Sequence, residues 1–295
     1  MIAAALGRAS LNERAAGDSI TKYSPPLLDV ARAAGVLILV AEDNLTNQIV
    51  IRRLLAQRGY ASEIVSNGVE ALKAYEADPS YGLLLTDFHM PEMDGFALTA
   101  EIRKRETTGA RRLPIVALTA DALPGTRERC LTAQMDDYLT KPIESKQLEA
   151  VLEHWLPKAA ALRRADTAPS KPAKIDIDPQ IFDQSRLVEA FGSFGAEARA
   201  LLAQFLAEAR KLTAQIITAM DQQDWAEARH HAHALKGGAG SAGAVRLGQV
   251  AADVQDWLDG GDPDTALLFT GGLETTVDEL AEAVRPLLAR GMGEL

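Results

Sequence analysis

Four places in the 295-residue chain carry groups of a type and spacing suited to chemistry: Glu42-Asp43, Asp87, Thr119 and Lys141. Each stands at the end of an apolar run, respectively Val36–Val40, Leu83–Leu85, Pro114–Leu118 and Asp137–Leu139. Runs of that length bounded by turn residues read as buried strands of a parallel sheet. The carboxyl ends of such strands lie side by side, where open α/β sheets bind ligands. Three carboxylates crowded there repel one another and raise each other's pKa values, so a divalent cation is the natural remedy. An all-oxygen donor set with room for water favours magnesium over zinc. Lys141 offers a cation and Thr119 a hydroxyl to a phosphoryl oxygen. Phosphoryl transfer needs little beyond positioning and charge neutralisation.

A second reactive candidate lies far along the chain, among His230, His231 and His233. Asp224 is placed to cap the helix that carries them. On that helix Trp225, Ala228, Ala232, Leu235, Ala239 and Ala242 form one apolar stripe. His231 falls near the stripe and His230 at its edge, whereas His233 lies opposite, flanked by Arg229, Lys236 and Gly237. Lys236 shares the face of His233 and can draw in an anionic phosphoryl group. Gly237 leaves room for a bulky partner. Neighbouring histidines diverge around the helix, so a metal role is weak.

The elements that must hold these groups follow from the pattern. Strands near 36–40, 61–65, 83–87, 114–118 and 137–140 alternate with helices, which predicts a doubly wound, five-stranded parallel α/β sheet over residues 35–156. Residues 1–34 show no sustained period apart from a short amphipathic stretch at Leu27–Ala33. Residues 157–175 are Pro-containing and net positive, the composition of a tether. From 176 to 295 the periods are helical: Leu202, Phe205, Leu212 and Ile216 mark one helix, Leu247, Val250, Val254 and Trp257 another, and Leu273, Val277, Leu280, Val284 and Leu287 a third. With the histidine helix these predict an all-α four-helix bundle. The net charge of −10 argues against direct nucleic-acid binding. The single cysteine, Cys130, fits a reducing compartment. No apolar run reaches membrane-spanning length, so a cytoplasmic location is expected, with tethering to the inner membrane through an upstream kinase region left open.

Glu42-Asp43-Asn44, Asp87 followed by Met90-Pro91 and Met93-Asp94-Gly95, Thr119-Ala120 and Lys141-Pro142 resemble the receiver domain of two-component response regulators. His233-Ala234-Leu235-Lys236-Gly237, with Gly240 and Gly243 beyond, resembles the histidine phosphotransfer (HPt) signature. The first resemblance implies that Asp87 accepts a phosphoryl group. It also implies that Glu42, Asp43, Asp87 and the backbone carbonyl of His89 bind Mg2+, and that Thr119 and Tyr138 form a switch pair. The second implies that His233 accepts phosphate on a ring nitrogen, with Lys236 beside it. Together they imply a phosphorelay, as at the C-terminus of an unorthodox hybrid sensor kinase. A sensor histidine kinase would load Asp87, Asp87 would pass the group to His233 by intramolecular receiver–HPt docking, and His233 would load a downstream response regulator receiver. The alternative is a phosphorylation-gated interaction module or phosphate sink. No ATP-binding Gly-rich segment appears, so the chain reads as the C-terminal part of an unorthodox hybrid sensor kinase or a free-standing relay protein. The acidic pocket and an Arg229/Lys236 face are expected to dock by opposite charge. Both acceptors are expected to be open to solvent, with His89 beside the phosphoryl site and Asp121 at its rim. Gln134 stands where such receivers usually have glycine, and Ser241 and Ala242 are smaller than the residues common at their positions.

Overall fold

The computed structural model describes residues 22–106, 112–119, 126–162, 164–166 and 177–289. It begins with a three-residue strand, β1 (Lys22–Ser24), and a short helix, α1 (Leu28–Ala33). Five strands follow: β2 (Ile38–Ala41), β3 (Ser62–Val65), β4 (Leu83–Asp87), β5 (Ile115–Thr119) and β6 (Asp137–Thr140). They alternate with α2 (Leu45–Gln57), α3 (Gly68–Ala77), α4 (Gly95–Arg105), α5 (Thr126–Thr132) and α6 (Ser145–Trp155). The order across the sheet is β3-β2-β4-β5-β6, and every pairing is parallel. The α/β expectation holds. The three central strands are buried along their whole length, which is why they read as unbroken apolar runs. The edge strands β3 and β6 are mostly half-buried and mix polar with apolar residues.

Local signals end the elements where the chemistry needs them. Asn44, Asn67 and Asp94 each accept a backbone N–H three residues on, capping α2, α3 and α4. Gly95 is required by packing, because a Cβ there would lie 2.2 Å from the carbonyl oxygen of Asp87. Gln134 has φ +61°, the left-handed conformation its position suggested, and its carbonyl accepts from Arg103 (3.1 Å) and Arg112 (2.9 Å).

After α6 the chain does not become a simple tether. A 3-10 helix spans Pro157–Leu162, and β7 (Arg164–Asp166) pairs antiparallel with β1. These three-residue strands show no alternation of their own, and each is specified by the other, so neither was legible alone. The remaining helices are α7 (Ser185–Phe191), α8 (Ala196–Asp221), α9 (Trp225–Ala242), α10 (Val245–Asp259) and α11 (Pro263–Ala289). The last four form the bundle, α9 packing on α8 and α10, and α11 on both of these. Asp224 caps α9 through the Glu227 N–H (3.1 Å). Ala228, Ala232, Leu235, Ala239 and Ala242 are fully buried, as the stripe requires, but Trp225 at its start is 37 % exposed. The bundle meets the sheet domain through α2, which packs against α7, α8 and α9.

Candidate functional site

Strand register assembles the acidic cluster. Ala41 pairs with Thr86, so Glu42 and Asp43, just past the end of β2, stand beside Asp87 at the end of β4. Asp87 pairs with Leu118, which sets Thr119 one strand further across. Thr119 pairs with Thr140, and the Lys141 N–H donates to the Thr119 carbonyl (2.6 Å), which places Lys141 last in the row. Glu42, Asp43 and Asp87 each offer an oxygen within 4.8 Å of the others. The Lys141 ammonium pairs with Glu42 (2.6 Å) and with Asp87. The Asp87 carboxylate also accepts a long hydrogen bond from the His89 N–H (3.4 Å).

Burial and mutual repulsion strain this cluster electrostatically. Desolvation, reinforced by Asp87, pushes the Glu42 carboxyl up to about 7 even though Lys141 and Asn47 pull it down. Desolvation and Asp87 likewise push Asp43 up to about 6. Lys141, set between two carboxylates, is held above the ordinary ammonium range despite its burial. One ammonium therefore does not satisfy three carboxyls. An all-oxygen, charge-deficient triad fits a hard divalent cation.

Across the junction, the ring of His233 lies 4.7 Å from that of His89, centroid to centroid, tilted by 35°. Burial lowers the His233 imidazole to about 4, against the opposing pull of Asp87. Its Nδ1 and the Oε1 of Gln255, on α10, are both buried outside strict hydrogen-bond geometry. With Nδ1 enclosed by the bundle, Nε2 is the nitrogen left for a reaction. Lys236, Gly237 and Gly240 line a cavity shared with Lys141 and Pro142. A Cβ on Gly237 would come 3.3 Å from Asn47 Nδ2, so the small residue does admit a close partner.

Several expectations need correction. The acceptors are not fully open to solvent: Asp87 is 2 % exposed and His233 is half-buried. Arg229 does not face the acidic pocket but pairs with Asp259 on α10 (2.9 Å). Across the junction, Asn44 and Thr46 donate to Glu208 (3.3 and 3.0 Å), and Ser241 to Asn47 (2.6 Å). Arg53 pairs with Glu197 (2.5 Å), Gln57 donates to the Ala190 carbonyl (2.7 Å), and the Ser145 N–H donates to Glu189 (3.1 Å). Glu208 and Gln255 carried no signal in the sequence, being single polar residues within ordinary amphipathic helices. Tyr138 is half-buried on β6, two residues before Thr140, the partner of Thr119. His231 is partly buried and pairs with Glu227 (3.1 Å). Ala120 and Asp121 lie outside the described residues.

Residues 38–153 match the response regulator receiver domain, and residues 200–285 match the Hpt domain. The chain is therefore a receiver followed by an Hpt domain, the domain pair of a two-component phosphorelay. Its curated relatives are hybrid kinases. Sensor histidine kinase GacS of Pseudomonas protegens is 34 % identical over 200 residues, 66 % of this chain and 22 % of that protein. The sensory/regulatory protein RpfC of Xanthomonas campestris is 29 % identical over 252 residues, 83 % of this chain and 34 % of that protein. The chain thus spans between a fifth and about a third of these relatives. Among solved structures, the receiver domain of sensor histidine kinase PA1611 from Pseudomonas aeruginosa, with magnesium in its active-site cleft, is 43 % identical. It covers 42 % of this chain and 98 % of its own, with a TM-score of 0.38. No helix among the described residues is long and apolar enough to cross a membrane.

Proposed function

We propose that this chain relays a phosphoryl group from a sensor kinase histidine to Asp87, from Asp87 to His233 by docking within the chain, and from His233 to a separate response regulator. The observation that carries this reading is the placement of the His233 ring, 4.7 Å from the ring of His89 and close enough to Asp87 to feel its charge. Glu42, Asp43, Asp87 and the backbone carbonyl of His89 are the groups that would hold Mg2+. When bound, the ion neutralises charge on the phosphoryl oxygens. Lys141 adds a second positive group there, and Thr119 a hydroxyl one strand away.

The transfer itself balances simply. The lone pair on His233 Nε2 attacks phosphorus, the N–P bond forms, and the bond from phosphorus to the Asp87 oxygen breaks. Asp87 leaves as a carboxylate and regains its pairing with Lys141. The depressed pKa of His233 keeps Nε2 unprotonated and nucleophilic at neutral pH. The ring carries the positive charge that develops, with its proton on Nδ1. Thr119 and Tyr138 serve as the switch pair, and Lys236 neutralises the phosphoryl group on His233.

The test is to incubate the full chain with labelled acetyl phosphate and magnesium and map the label. Alkali-labile label at Asp87 and acid-labile label at His233 are expected. Asp87→Asn should lose both, and His233→Gln only the second, together with delivery to a regulator. Retained output from His233→Gln would replace the relay with a phosphorylation-gated interaction module or phosphate sink.

A further inference from the structure

The first turn of α2 is sandwiched between the acidic cluster and the bundle, and Asn47 touches both. Its Nδ2 donates to Glu42 Oε1 (2.8 Å), and its Oδ1 accepts from Ser241 Oγ (2.6 Å). In this orientation the amide nitrogen donates to the Glu42 carboxyl and the amide oxygen accepts from the Ser241 hydroxyl. Around it, the Asn44 Oδ1 accepts the Asn47 N–H (3.0 Å), while its Nδ2 reaches Glu208 (3.3 Å) and the Ala234 carbonyl (3.4 Å). The Asn44 N–H adds a bond to the same Glu42 oxygen (3.3 Å). Thr46, wholly buried, donates to the other Glu208 oxygen. The chain Ser241–Asn47–Glu42 therefore runs from the bundle to one of the three carboxylates with no water-filled step.

Resting on the relay reading above, we infer that Asn47 is a positioning residue that makes bundle docking and cation binding at Glu42, Asp43 and Asp87 mutually dependent, with Ser241 as the bundle's handle on it. The Ser241 hydroxyl polarises the Asn47 amide and makes Nδ2 a stronger donor, since linked hydrogen bonds reinforce one another. It also stops the amide from rotating, so Glu42 is held with its second oxygen turned to Lys141. Without the bundle, Asn47 Oδ1 faces water and that restraint is lost. Coupling of this kind is reciprocal: the factor by which docking tightens the cation is the factor by which the cation tightens docking. A loaded receiver would then hold its HPt partner more firmly than an empty one.

Calorimetric titration of MgCl2 into the full chain tests this. Wild type, Ser241→Ala, Ser241→Thr, Asn47→Ala and the Ser241→Ala/Asn47→Ala double variant are compared, with helix content checked by circular dichroism. Ser241→Ala should weaken Mg2+ by about five-fold, the fold-change of one hydrogen bond. Asn47→Ala should weaken it at least as much, the double variant no further than Asn47→Ala, and Ser241→Thr should match wild type. An unchanged Mg2+ affinity in folded Ser241→Ala, or losses that simply add in the double variant, overturns the coupling. Acetyl phosphate labelling of the same wild-type sample separates the two claims. Absence of label at Asp87 removes the relay reading, whereas a labelled wild type with an unaffected Ser241→Ala removes only the coupling.

Discussion

Chelating divalent cations should cost this chain stability in a way that grows with pH, and the acidic cluster sets both the sign and the size. In the metal-free fold, the Asp43 carboxyl is raised from 3.8 to about 6 and Glu42 from 4.5 to about 7. Carboxyls raised by folding make the folded state bind more protons than the unfolded chain. Their contribution is therefore fully present below the unfolded pKa and is lost as pH rises through the folded one. At 1.36 kcal/mol per unit, the Asp43 shift alone corresponds to about 3 kcal/mol lost between roughly pH 4 and pH 6. Glu42 extends the loss towards neutrality in the same direction. Magnesium needs these groups ionised, so it replaces proton stabilisation with its own. The gain from saturating magnesium over chelator should be near zero around pH 4.5 and rise by about 3 kcal/mol by pH 7.5.

Urea unfolding reads this directly. Trp155 lies in the sheet domain, where its indole N–H reaches Asp137 (3.4 Å), while Trp225 and Trp257 lie on the bundle and are 37 % and 41 % exposed. A Trp225→Phe/Trp257→Phe background therefore isolates the receiver signal. His233, lowered to about 4, acts in the opposite sense, adding stability as pH rises towards 6.5. Taking the magnesium-minus-chelator difference at each pH removes the part of its contribution that magnesium leaves unchanged. A magnesium increment that is the same at pH 4.5 and 7.5 would refute the charge-deficient triad.

Two further outcomes follow from single positions. Gln134→Gly relieves a left-handed residue (φ +61°) and should raise receiver stability by about 1 kcal/mol in the same unfolding assay; no change would mean that the strain is absorbed elsewhere. Gly237→Leu puts a branched side chain where even a Cβ lies 3.3 Å from Asn47 Nδ2. Acetyl phosphate should then still label Asp87 while label at His233 falls at least ten-fold, and normal transfer would show that the two domains meet by another face.

The sheet and the placement of the candidate groups at its strand ends were legible because both are written locally. Leu83–Leu85 is apolar throughout since β4 is buried on both faces, and Asp87 is conspicuous since it interrupts that run at the strand's end. The face of His233 followed from 3.6-residue periodicity alone. What the sequence withheld was everything decided between distant segments. β1 and β7 exist only as a pair, separated by some 140 residues, and carry no period of their own. Arg229 looked like a docking charge, but Asp259 on the neighbouring helix neutralises it, and nothing near Arg229 in the chain announces that partner. At the junction Glu208 instead accepts from the buried amide of Asn44 and the buried hydroxyl of Thr46. Polar side chains buried at a junction are specified by the surface opposite, and the surface opposite is a matter of tertiary structure.

The burial of both acceptors has a mechanistic consequence. One face of α9 carries His233, and α2 with the end of β4 covers it. An outside receiver, or a kinase approaching Asp87, needs the same faces. On the proposed relay, the docked arrangement would serve the internal step and block the external ones, so entry and exit of the phosphoryl group would require the domains to part. The contacts at the junction suit such exchange. They include hydrogen bonds of amides and hydroxyls to Glu208 and Asn47, each worth about 1 to 3 kcal/mol against water, and a largely exposed ion pair, Arg53–Glu197, worth about 1 kcal/mol or less. Joining the domains in one chain supplies the local concentration that such weak contacts lack. A tighter, more apolar interface would speed the first transfer and trap the group before the second.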